Sequence, residues 1–77
     1  MVMVKADKTL DIQGLIHPRS RVVIEMTMTG LVPGQTLTVI TNDINTKESV
    51  PSLCSHRGYT LLEAQEEGGT FSYTIRK

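Results

Sequence analysis

Pro18-Arg19-Ser20-Arg21-Val22-Val23-Ile24-Glu25-Met26-Thr27-Met28-Thr29-Gly30-Leu31 can fold in two ways, and the architecture follows from which one wins. Ile24, Met26 and Met28 alternate with Glu25, Thr27 and Thr29, the period of a strand with one buried face. Val22, Val23 and Ile24 are also β-formers. Against a strand, Pro18 suits the first position of a helix, where its missing N–H costs nothing. Val22, Val23, Met26 and Gly30 fit helical spacing, with Leu31 beyond them. Local pattern alone leans to strand.

Before this stretch, Lys8 to Ile12 alternate polar and apolar, so Leu10 and Ile12 face a core. Gly14 then allows a sharp turn. After it, Pro33-Gly34 is a turn pair, and Thr36 to Thr41 read as a strand with Leu37 and Val39 on one face. Asn42-Asp43-Ile44-Asn45 is a loop rich in capping residues, and Asn45 followed by Glu48 resembles a capping box. Val50, Leu53 and Cys54 form a helical stripe. Pro51 is awkward in a helix interior, so either the helix kinks there or its regular part starts near Ser49. Gly58 is placed to stop it. Tyr59 to Gln65 read as a strand, and Glu66-Glu67-Gly68-Gly69 as a hairpin connection. Thr70 to Ile75 alternate cleanly, with Phe71, Tyr73 and Ile75 on one face. The order is β, an undecided element, β, α, β, β. Two helices can cover one face of four strands; a lone helix cannot.

A chain of 77 residues is expected to form one domain, with residues 1–7 a loose N-terminal segment. Eight basic residues balance eight acidic ones, so no nucleic-acid surface is expected. One cysteine excludes an intrachain disulfide and suits a reducing compartment. No apolar run is long enough for a membrane span, and no signal peptide is visible. The expected location is the cytoplasm. Glycine-rich phosphate loops, paired zinc motifs and a serine–histidine–aspartate set are absent, so no metal or cofactor is expected. Asn42, Asp43 and Asn45 lack the glycine and distal glutamate of a calcium loop and read as caps. Met1, Met3, Met26 and Met28 read as packing residues.

The ordered set of residues from about 9 to 77 resembles the TusA/SirA family of small sulfur-carrier proteins. Leu10-Asp11 and Gly14-Leu15 match its opening strand and turn, and Pro18 the first proline of its Cys-Pro-x-Pro motif. Leu31, Pro33-Gly34 and Leu37 match its helix end, turn and second strand. Asp43, Val50-Pro51, Leu53-Cys54 and Gly58 match its loop and second helix. Leu61-Leu62-Glu63, Glu66 to Gly69, Phe71 and Ile75-Arg76-Lys77 match its closing hairpin. The resemblance implies an α/β (α+β) two-layer sandwich, βαβαββ, with a mixed four-stranded sheet and both helices on one face. It makes residues 18–31 a helix. It also implies a sulfurtransferase function, in which a cysteine accepts persulfide sulfur from a cysteine desulfurase or rhodanese-type donor and passes it to an acceptor protein.

In that resemblance the motif cysteine falls at His17, and the second motif proline at Ser20. A thiol at a helix N-terminus is a sensible nucleophile, because the positive end of the dipole favours thiolate. An imidazole cannot hold a persulfide. His17 then reads as a surface residue of a binding-only member, as part of an anion site with Arg19 and Arg21, or as a metal ligand without a spaced partner. Cys54 reads as a core cysteine or as a substitute sulfur carrier, which needs exposure and a lowered pKa. His56, roughly 200° round a helix from Cys54, is badly placed to activate it. Two functions follow. One is a degenerate sulfur-relay protein. The other is a non-catalytic binding or regulatory module that uses Pro18, Arg19, Arg21 and His17.

Overall fold

The computed structural model describes residues 6–77, with elements β1 (Lys8–Asp11), α1 (Arg19–Thr29), β2 (Thr36–Thr41), α2 (Thr46–Arg57), β3 (Thr60–Glu67) and β4 (Thr70–Arg76). The sheet order is β1-β2-β4-β3, with β1 and β2 parallel and the other neighbours antiparallel. Leu37, Val39 and Thr41 of β2 and Phe71, Tyr73 and Ile75 of β4 are buried on one face, and both helices cover it. Ile12, Ile24, Met28, Val50, Leu53 and Cys54 complete the core. The other face of the central strands carries Thr38, Ile40, Ser72 and Thr74; Thr38 and Thr74 share a hydroxyl hydrogen bond of 3.2 Å.

The Pro18–Leu31 stretch is a helix, against the local strand pattern. Its buried stripe is Ser20, Ile24 and Met28, each four residues apart, with Val23 and Leu31 at its margin. Of the residues that fit helical spacing, Val23 and Leu31 do pack against the core, but Val22 and Met26 do not: Val22 is 48% exposed and Met26 69% exposed. Met26 is therefore not a packing residue, whereas Met28 is; Met1 and Met3 lie outside the described residues. Thr27 and Thr29 satisfy their hydroxyls within the helix, donating to the Val23 and Glu25 carbonyls. Pro18 stands one residue before the regular helix, at the N-cap position. At the other end, Lys77 Nζ donates to the Thr29 and Leu31 carbonyls, a cation where the helix dipole is negative.

Three local expectations change. Asn45 precedes α2 but makes no side-chain capping bond; its side chain donates to Asp43 instead. Pro51 lies inside α2, in its second turn, where it withholds one backbone bond from the Lys47 carbonyl. Glu66 and Glu67 are paired with Phe71 and Thr70, so the hairpin turn is Gly68-Gly69 alone, both at positive φ. A bulge between Leu61 and Glu63 interrupts β3. Gly58 ends α2 in the left-handed conformation as expected, at φ 75°. Of the N-terminal segment, residues 1–5 lie outside the described residues. Asp7 is tied down, accepting from the Thr36 N–H at 2.9 Å and donating its own N–H to Thr36 Oγ1 at 3.1 Å.

Candidate functional site

Because β1 and β2 are parallel neighbours, the loops that leave their carboxyl ends lie side by side. In sheets of this kind, ligand sites form where parallel strands end. The first loop carries Gly14 to Pro18 into α1, and the second carries Asn42 to Asn45 into α2. Gly14, at φ 96°, turns its N–H onto Asn42 Oδ1 at 3.0 Å and joins the two.

His17 stands exposed at the corner where the first loop enters α1. It borders two depressions. One, of about 260 Å³, separates it from Asn45, Glu48, Ser49 and Ser52 on α2. The other, of about 310 Å³, is formed by Gly14 to Arg19. Pro18 and Arg19 are exposed beside it. Arg21 is half-buried and lines neither depression, and its Nε is buried without a hydrogen-bond partner. The ion pairs among the described residues are Lys47–Glu66 and Arg57–Glu25, so neither Arg19 nor Arg21 has a carboxylate partner there. The same residues contain no group of three or more His, Cys, Asp or Glu able to hold a metal.

Cys54 lies on the inner side of α2, 3% exposed, against the core. Burial pushes its thiol above the usual range. Both conditions for a carrier role, exposure and a lowered pKa, are unmet. His56 is exposed in the last turn, away from it.

Beneath the corner is a buried polar network centred on Asp43, which is 5% exposed. Its Oδ2 accepts from Ser20 Oγ at 2.7 Å. Its Oδ1 accepts from the Asn45 N–H and Nδ2, both at 3.0 Å. Its N–H donates to Thr41 Oγ1 at 3.1 Å, and its carbonyl accepts from Thr46 Oγ1 at 2.6 Å. That bond uses the one Thr46 hydroxyl proton, so Tyr73 is the donor in the 3.0 Å Thr46–Tyr73 contact. Asp43 thus braces the turn that leads into α2 and ties it to α1. Burial pushes its carboxyl up. The bonds from Ser20, from the Asn45 amide and side chain, and from the His17 amide outweigh that and hold it below 3.8. The sign follows from linkage. A depressed folded-state pKa contributes stability that is complete above the unfolded value and lost as pH falls through the folded one. Urea midpoints measured from pH 7 down to pH 2 should therefore drop on the acid side of about 4. Asp43→Asn should flatten that drop; an unchanged acid limb would remove Asp43 from the balance.

Reading of the sequence had Asp43 as a cap and Ser20 only as a missing proline. The available signal was a hydroxyl on the apolar stripe of α1, since a buried polar group requires a partner.

This arrangement, a βαβαββ sandwich with a helix-start corner beside a second helix start, is matched along almost its whole length. A family model described as "Sulfurtransferase TusA" covers residues 8–77. The chain belongs to the TusA family. The sulfur carrier protein TusA of Pseudomonas paraeruginosa (strain DSM 24068 / PA7) is 39% identical over 71 residues, 92% of this chain and 90% of that protein. The TusA of Pseudomonas putida (strain GB-1) is 38% identical over 71 residues, 92% and 89% of the two chains. The crystal structure of a SirA-like protein from Desulfitobacterium hafniense shares the fold with a TM-score of 0.78 at 20% identity, covering 90% of this chain and 95% of that one. No helix among the described residues of this TusA-family chain is long and apolar enough to cross a membrane.

Proposed function

We propose that this TusA-family chain takes part in sulfur relay between proteins in the cytoplasm without itself carrying the sulfur. In this reading it is a binding or regulatory partner, degenerate at the sulfur-accepting position. The supporting observation is the pairing of an exposed imidazole at the α1 corner with a lone thiol sealed in the core. Persulfide transfer needs an accessible thiolate. It attacks the donor's outer sulfur, forms a new S–S bond and releases the donor's thiolate. His17 has no sulfur to make that bond, and Cys54 cannot reach a donor. What the corner retains is a docking face of His17, Pro18 and Arg19, with the half-buried Arg21 in the same turn of α1. It suits a cysteine desulfurase or rhodanese-like donor on one side of the relay and a sulfur-accepting protein on the other.

The test is incubation with a cysteine desulfurase and cysteine, followed by intact mass measurement. The natural chain should gain no sulfur, and His17→Cys should gain one. One added sulfur on Cys54 of the natural chain would overturn the reading.

A further inference from the structure

We propose that Asp43 and Ser20 are the positioning pair of the residue-17 corner, fixing where that side chain stands relative to the first turns of α2. The proposal rests on the reading of residue 17 as the site. The corner has little local support. Pro18 offers no N–H, and no side chain caps α1. The support comes instead from Asp43, 23 residues further along the chain, whose carboxylate takes the Ser20 hydroxyl on one oxygen and the Asn45 groups on the other. Ser20 is fully buried, so this bond has no competition from solvent. One carboxylate therefore joins the first turn of α1, just after His17, to the turn that enters α2, and so links the two sides of the groove between His17 and Glu48, Ser49 and Ser52. Ser20 contributes twice, because its N–H also donates to the Ile16 carbonyl at 3.2 Å. A proline at this position could make neither bond. This chain holds the corner with hydrogen bonds that a pyrrolidine ring could not provide.

Amide hydrogen exchange of the full chain tests the pair without any partner. Ser20→Ala should speed exchange at the residue-20 and Asn45 amides, bonded to the Ile16 carbonyl and to Asp43 Oδ1, at least tenfold and leave Val39 and Tyr73 in the sheet unchanged, whereas Ser20→Thr should retain protection. Unchanged exchange at residues 20 and 45 in Ser20→Ala, or equal acceleration throughout the sheet, would overturn the proposal. A second arm reads position. In the His17→Cys background, adding Ser20→Ala should slow sulfur uptake from the desulfurase at least tenfold while the end point stays at one sulfur per chain. Equal rates would overturn the positioning role. Failure of His17→Cys to take up any sulfur would instead overturn the relay reading, and the exchange measurement would still decide the pair.

Discussion

Asp43→Ala is expected to remove about 3 kcal/mol of stability, a substantial fraction of what a small domain has. Hydrogen bonds to a buried charged group contribute roughly 1.5–3 kcal/mol, and donors left unpaired in the interior add their own cost. The substitution orphans Ser20 Oγ, fully buried, and the Asn45 N–H, and it loosens the turn that leads into α2. A chain of this size has about 4–12 kcal/mol in total, and each kcal/mol corresponds to about 4–8 °C in Tm. A fall of about 15 °C in thermal unfolding, with a matching shift in urea midpoint, is the expected result. A loss under about 1 kcal/mol, the level of a single solvated cap, would mean that the network contributes no more than water would.

Ile24→Ala is expected to cost about 3 kcal/mol as well, by a different route. Ile24 is 0% exposed in the middle of the buried stripe of α1, and deleting its side chain leaves a cavity that close-packed neighbours fill only in part. Met26→Ala, two residues on and 69% exposed, should change stability by no more than about 0.5 kcal/mol. Urea unfolding of the two variants decides which face of α1 is inside. Equal effects, or a larger effect at Met26, would contradict the packing described here.

That pair of positions also shows what could and could not be read from the chain beforehand. Ile24, Met26 and Met28 are two apart, so they look like one face of a strand; Ile24 and Met28 are also four apart, which is one face of a helix. The same letters serve both periods, and only resemblance to a family separated them. Even with the helix assigned, spacing finds only the margin of the stripe, Val23 and Leu31, and adds the exposed Val22 and Met26, because the residue that completes the stripe is Ser20. Its partner is Asp43, and a contact between residues 23 apart leaves no periodic trace. Where a period was unshared, reading succeeded. Phe71, Tyr73 and Ile75 are buried on β4 as their alternation indicates, and Val50, Leu53 and Cys54 on α2 as their spacing indicates. The exposed corner at His17 was legible from Pro18 and Gly14. The buried network beneath it was not, because hydrophobic pattern is silent about polar groups that face inward.

The strand order β1-β2-β4-β3 also bears on how the chain is made. The last of the four strands in chain order, β4, is an interior one, gripped on both sides by β2 and β3. During synthesis β2 must wait with one ladder unmet until β4 has been made and has emerged. Closing the sheet is thus a late step made of long-range pairings, the kind that pays for loop closure before any contact rewards it. Until then, the apolar face that will become the core is covered only by the two helices and open along the seam where β4 belongs, so the nascent chain is at its most adhesive just before β4 joins the sheet.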